Sequence, residues 1–147
     1  MTVIDLGEIR DTIVSMLSMD DNLVQRVNGV YGAMYTNGPT NGIDVNVVCG
    51  FVEPYSANRV LGAGGYIIPV HISCVCKFRH RPKLVDNIID VVHIIYDNLL
   101  ADRKLGGIVN HFESIEASDD IIGTEDNPES YIFTITVNYI KQFNRTE

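Results

Sequence analysis

With 147 residues, 46% hydrophobic and 20% charged, the chain has the composition of one globular domain rather than of a disordered segment. A net charge of −8 disfavours nucleic-acid binding as its main task, because holding phosphates takes clustered Lys and Arg. No apolar run approaches the ~20 residues that cross a bilayer, and the first residues lack the basic and apolar regions of a secretory leader, so a soluble protein used without secretion is expected.

Asp5 and Glu8 have capping-box spacing, and Ile9, Ile13, Met16 and Leu17 then mark an amphipathic helix ending near Ser18. Asp20 and Asp21 can start a further short turn that Gly29 stops, and Val30–Tyr35 is at most a short extended piece. Residues 36–42 read as a loop by their Asn, Gly and Pro content. Ile43, Val45 and Val47 alternate with Asp44, Asn46 and Val48, which predicts a strand to about Glu53. Residues 54–65 form a protruding connection that carries Arg59.

The pattern is clearest from Tyr66 to Phe78. Tyr66, Ile68, Val70, Ile72, Cys74, Cys76 and Phe78 share one face of a long strand, and His71, Ser73 and Lys77 share the other. At Pro82, which suits a first helical position, the period changes. Leu84, Ile88, Val91, Val92, Ile95 and Leu99 recur at helical spacing, opposite a narrow polar stripe of Asp86, Asp90, His93 and Asp97. Arg103 and Lys104 suit the negative end of that helix, and Gly106-Gly107 is its expected stop. A strand over 108–117, a polar acidic loop over 118–130, a strand over 131–139 and a polar tail over 142–147 complete the chain. The order α-β-β-α-β-β predicts an α+β domain, a mainly antiparallel sheet flanked by helices. A helix apolar almost all round, and a second sheet face carrying Ile67, Val75, Ile132 and Ile140, point to burial beyond one chain and so to an oligomer.

The chemistry-bearing residues do not assemble into a signature. Cys49, Cys74 and Cys76 are an odd number without framework spacing, and the C-x-C pair lacks two further metal ligands, so buried thiols are expected. The Asp86/Asp90/His93/Asp97 row reads as a solvated stripe before it reads as an acid/base site. Leu61–Tyr66 is Gly-rich but precedes a strand instead of a helix, the wrong context for a phosphate loop. His71, His80, His93 and His111 are scattered, and no nucleophile elbow is present. No enzyme, cofactor or metal is expected. The charges, in contrast, are sorted along the chain. Lys77, Arg79, Arg81 and Lys83 form a basic stretch; Glu113, Glu116, Asp119, Asp120, Glu125, Asp126 and Glu129 form an acidic one without a base. A solvated surface, nucleic-acid contact, or pairing between these stretches on neighbouring copies would each account for them; the last suits a head-to-tail, ring-closing contact.

The layout resembles the small tail-terminator (tail-completion or minor tail) proteins of tailed bacteriophages. The likeness lies in the opening helix from Ile4 to Leu17, the strand Tyr66–Ile72 leading into Cys76-Lys-Phe-Arg-His-Arg81, the helix Leu84–Leu100 with its Leu105-Gly-Gly107 stop, and the closing strand Tyr131–Tyr139. The resemblance is one of pattern and order, and it carries over no functional residue. It implies a homo-oligomeric ring, usually a hexamer, that caps the tail tube and joins it to the head. Its partners would be tail-tube protein on one side and head-completion or connector protein on the other, with DNA passing through the lumen unbound. It implies a place in the virion, after assembly in the host cytoplasm. Another neck or head-completion adaptor, or a small α+β ligand-binding domain or enzyme, remains as the alternative.

Overall fold

The computed structural model of the chain describes residues 4–32, 42–56, 64–77, 82–123 and 128–142. Helix α1 (Leu6–Ser18) begins where Asp5, in extended conformation, accepts the Glu8 N–H at 3.0 Å. Ile9, Ile13 and Leu17, four residues apart, are its buried side. Asp20 repeats the device for α2 (Asp21–Val24), accepting from the Asn22 and Leu23 amides at 3.0 and 3.2 Å.

The strands are β1 (Gly29–Tyr31), β2 (Ile43–Cys49), β3 (Glu53–Ser56), β4 (Gly64–Lys77), β5 (His111–Gly123) and β6 (Pro128–Gln142). They form one mixed sheet in the order β1-β2-β4-β6-β5, with β3 also on β4. Among these pairs only β1–β2 is parallel. The α+β architecture expected from the alternating patterns is therefore present. Gly65 marks a close approach of β4 to β6: a Cβ there would stand 2.3 Å from the Lys141 carbonyl oxygen.

Helices cover one face. α1 lies over β1 and β2, and α3 (Pro82–Ala101) lies over β4 and β6. Between helices and sheet sits the core: Ile9, Ile13, Leu17 and Leu23 from α1 and α2; Ile88, Val91, Val92, Ile95 and Leu99 from α3; Val45, Val47, Val70, Ile72, Cys74, Ile135 and Val137 from the strands. Asp86, Asp90, His93 and Asp97 are exposed, as a solvated stripe requires, and beside them Ile89 and Leu100 are 49% and 44% exposed.

Several boundaries differ from the pattern-based expectations, each for a physical reason. The acidic loop expected over 118–130 is largely strand: β5 runs on to Gly123 and β6 starts at Pro128. Acidic side chains oppose burial, not extension, and β5 is an edge strand whose carboxylates stay in water. The connection expected over 54–65 is shortened likewise, because Glu53–Ser56 pairs with Gly64–Ile67. The strand expected to run unbroken to Glu53 is interrupted after Cys49, so β2 and β3 occupy the same edge of β4 in succession. The long helix stops at Ala101, ahead of its expected glycine stop. Leu105, Gly106 and Gly107, all at positive φ (50°, 70° and 101°), instead form a tight 3-10 turn that leads into β5. Residues 36–41 and the tail from 143 lie outside the described residues.

A link between distant elements fixes the helical layer. Asn98 on α3 donates to the Asp20 carboxylate at 2.8 Å, so one side chain caps α2 and ties it to α3. The Asn98 bond, with help from the Leu23 and Asn22 amides, holds the Asp20 carboxyl below its ordinary pKa against the opposing effect of desolvation. A folded-state value below the unfolded one stabilises the fold above the unfolded pKa of about 3.9, and this contribution is lost as pH falls through the folded value. Asp20→Ala should lower unfolding free energy by about 1–2 kcal/mol at neutral pH. In urea titrations the gap to the parent protein should close as pH falls through the folded-state pKa.

Candidate functional site

Register decides where the sorted charges go. In the antiparallel pairing of β4 with β6, Lys77 stands opposite Ser130, next to Glu129. The basic stretch thus begins at the same end of the sheet as the β5–β6 connection, not at an opposite pole of the molecule. Lys83 lies in the first turn of α3. Arg59, Arg79, Arg81, Glu125 and Asp126 lie outside the described residues.

Four of the sequence-selected acids, Glu113, Glu116, Asp119 and Asp120, are brought together on β5, all exposed. Glu113 sits at a register shift between Phe112 and Ser114. Glu116 and Asp120 pair with Thr136 and Ile132 and so point away from the helices, whereas Asp119 pairs with Phe133 on the helix side. There the Tyr131 hydroxyl donates to Asp119 at 2.9 Å. Burial raises the Tyr131 pKa, and the bond to Asp119 adds to the rise by favouring the protonated phenol. Arg103, beyond the helix end, lies 5.2 Å from the Phe112 ring centroid, and Phe112 meets Tyr139 edge-on at 6.2 Å. These contacts hold the start of β5 to the body of the domain.

The sheet face away from the helices carries a polar lattice that alternation alone did not reveal. His71 Nδ1 lies 2.9 Å from Thr136 Oγ1, Ser73 Oγ lies 3.3 Å from Thr134 Oγ1, and Asn138 donates to Ser114 Oγ at 2.9 Å. The signal was present in the sequence as Thr134, Thr136 and Asn138 between apolar residues, but their partners are fixed only by strand register. These groups satisfy one another across strands, and that occupies them structurally. Phe51, 94% exposed just after β2, is a second feature that pattern reading passed over.

The clefts offer little chemistry. One of about 380 Å3 lies between the start of α1 and the 3-10 turn, lined by Ile4, Asp5, Glu8, Ile9, Gly106, Gly107, Ile108 and Lys141. It holds no nucleophile with a base beside it. Among the described residues no group of three or more His, Cys, Asp or Glu side chains is placed to hold a metal ion. Nor is any described helix long and apolar enough to cross a membrane. The three cysteines are free thiols. Burial pushes Cys74 up to about 12 and raises Cys76 as well. Burial also raises half-buried Cys49, with Arg10 acting in the opposite sense.

The geometry describes an α+β chain with one helix-covered sheet face, an opposite face of mixed polar and apolar side chains, and a long acidic edge. On the mixed face Val75 and Ile140, expected to need burial beyond one chain, are already buried within it. No protein-family model matches the chain, and no curated protein matches it. Among solved structures it is similar to a chain of the virion of native gene transfer agent (GTA) particle, with a TM-score of 0.55 and 14% identity over 94% of this chain and 99% of that one. At such low identity the likeness is one of fold, and it extends over nearly the whole of both chains.

Thiol accessibility gives a direct check on this arrangement. In the native protein at pH 8 an alkylating reagent should label Cys49 slowly and leave Cys74 unmodified until denaturant is added. Peptide mass mapping of the labelled sites would read the order.

Proposed function

We propose that this protein is a virion structural component that assembles into a ring, capping a phage-type tail tube and joining it to the head. The observation that carries this reading is the fold likeness to a virion component over nearly the full length of both chains. Three features of the described residues support it. The clefts lack a catalytic constellation, exposed apolar side chains (Phe51, Ile89 and Leu100) remain uncovered on one chain, and the sheet ends in an open strand. A protein that works by assembly needs such surfaces and needs no active site.

In this reading the partners are further copies of the chain, tail-tube protein below and connector protein above, and the site of action is the neck of the particle. The ring is hexameric, as in the tail terminators that the sequence resembles. Glu113, Glu116, Asp119, Asp120, Glu125, Asp126 and Glu129 supply negative contact surface. Lys77, Arg79, Arg81 and Lys83, with Arg59, supply positive surface to a neighbour. With −8 on every chain, the wall of the lumen repels DNA phosphates and lets the genome pass without sticking.

Light scattering on the purified protein, combined with negative-stain imaging, tests the proposal. Rings that bind tail-tube protein are the expected result. Rings that bind only portal-side proteins would move the assignment to a head-completion adaptor, and a monomer with a small-molecule ligand would overturn it. Replacing Glu113, Glu116, Asp119 and Asp120 together by Gln or Asn should impair ring closure or DNA passage; intact rings with full infectivity would count against the role given to these acids.

A further inference from the structure

The two edges of the sheet differ in a way that bears on how copies meet. β5 is thirteen residues long, pairs with β6 on one side, and has no strand on its other side among the described residues. Along it stand Glu113, Glu116, Asp119 and Asp120, with no Lys or Arg. At the opposite edge is β1, paired with β2 alone among the described strands. The segment Gln25–Gly32 that contains β1 has Arg26 and no carboxylate. Arg10, close to Gly32, adds little charge because Asp11 pairs with it at 3.0 Å.

Two β5 edges laid side by side would set the four carboxylates of one copy against those of the other, so a symmetric dimer through this edge is disfavoured. A β5 edge against β1, whose segment carries no carboxylate of its own, meets less repulsion, since Asp11 nearby is paired with Arg10. It also gains Arg26, which Asp20 compensates in part. Charge therefore favours a head-to-tail junction over a two-fold one, and a head-to-tail junction closes into a ring when its rotation between copies divides a full turn.

We propose that β5 of one copy pairs with β1 of the next, continuing the sheet from chain to chain. The inference rests on the ring reading above and names the contact that builds the ring. Strand directions allow it. β1 runs parallel to β2, and each step from β2 to β4 to β6 to β5 reverses direction, so β5 and β1 are opposed. Two copies in the same orientation thus meet through an antiparallel pair, the more stable kind. Faces also match. One cross-sheet row on the polar face runs Tyr31–Asn46–Ser73–Thr134–Ser118, from edge to edge. Continuation without offset sets Ser118 of one copy beside Tyr31 of the next, and an offset of two residues brings Glu116 or Asp120 there instead.

Cysteine cross-linking tests the junction on the full chain in a Cys49→Ser background. Tyr31→Cys is combined in turn with Ser118→Cys, Glu116→Cys and Asp120→Cys, all exposed positions on one sheet face. Mild oxidation should give a ladder of covalent oligomers ending in a closed ring for at least one pair. Tyr31→Cys with Ala117→Cys, which faces the other side, should give none. Rings that form without cross-linking in any of the three pairs would overturn this junction and leave the proposed function standing. Dimers from Ser118→Cys alone would overturn the head-to-tail direction. A protein monomeric at all concentrations, with no cross-links, would overturn both.

Discussion

The structure depends on the pairing of β4 with β6. It runs through thirteen consecutive partners, from Gly65 opposite Gln142 to Lys77 opposite Ser130. Because side chains alternate along a strand, that register alone decides which residues reach the core. It turns Val70, Ile72 and Cys74 toward Val137, Ile135 and Phe133 under the helices, and turns His71 and Ser73 toward Thr136 and Thr134 on the other face. A slip by one residue would turn one strand over, burying Thr134 and Thr136 and exposing Ile135 if β6 shifted, or burying His71 and exposing Ile72 if β4 did. The close contact at Gly65, where any side chain would collide with the Lys141 carbonyl, further fixes one end of the ladder.

Other elements are placed by reference to this ladder. β2 and β3 share one side of β4, and β5 takes the free side of β6. The helices fill the apolar face above, with Asp20 serving both as the cap of α2 and as the acceptor for Asn98 of α3. That single carboxylate does two jobs because α2 is only one turn long and cannot hold its own position by packing; Leu23 is its one buried side chain.

Where the amino-acid pattern was strong, the fold was legible. Tyr66–Cys76 and Tyr131–Tyr139 alternate cleanly, and Ile88–Leu99 keeps helical spacing, because each buries one face against a core. Where burial is slight, the pattern fades. β1 is three residues long and β3 four, so neither has room for a period. In β5 the exposed edge permits Glu116, Ser118, Asp119 and Asp120 in close succession, and such a run has the composition of a loop. The charges were legible as a count and an order along the chain. Their placement was not, since it depends on a pairing between β4 and β6, segments far apart in sequence. The lattice of His71, Ser73, Ser114, Thr134, Thr136 and Asn138 was hidden for the same reason.

The acids on β5 resolve two demands that would otherwise conflict. An open strand of this length invites pairing with any extended chain, and apolar side chains on it would make the invitation stronger. Carboxylates reduce that risk without closing the edge, because they repel a copy of the same edge and remain compatible with one that lacks acids. In the proposed junction the backbone of β5 would supply the capacity to pair, and its side chains would restrict the choice of partner. If copies join as proposed, protection against aggregation and direction of assembly would be two consequences of one charge pattern. Such a pattern needs no pocket, no metal and no reactive group, and on the neighbouring strands His71, Ser73, Thr134, Thr136 and Asn138 are already hydrogen-bonded across the sheet.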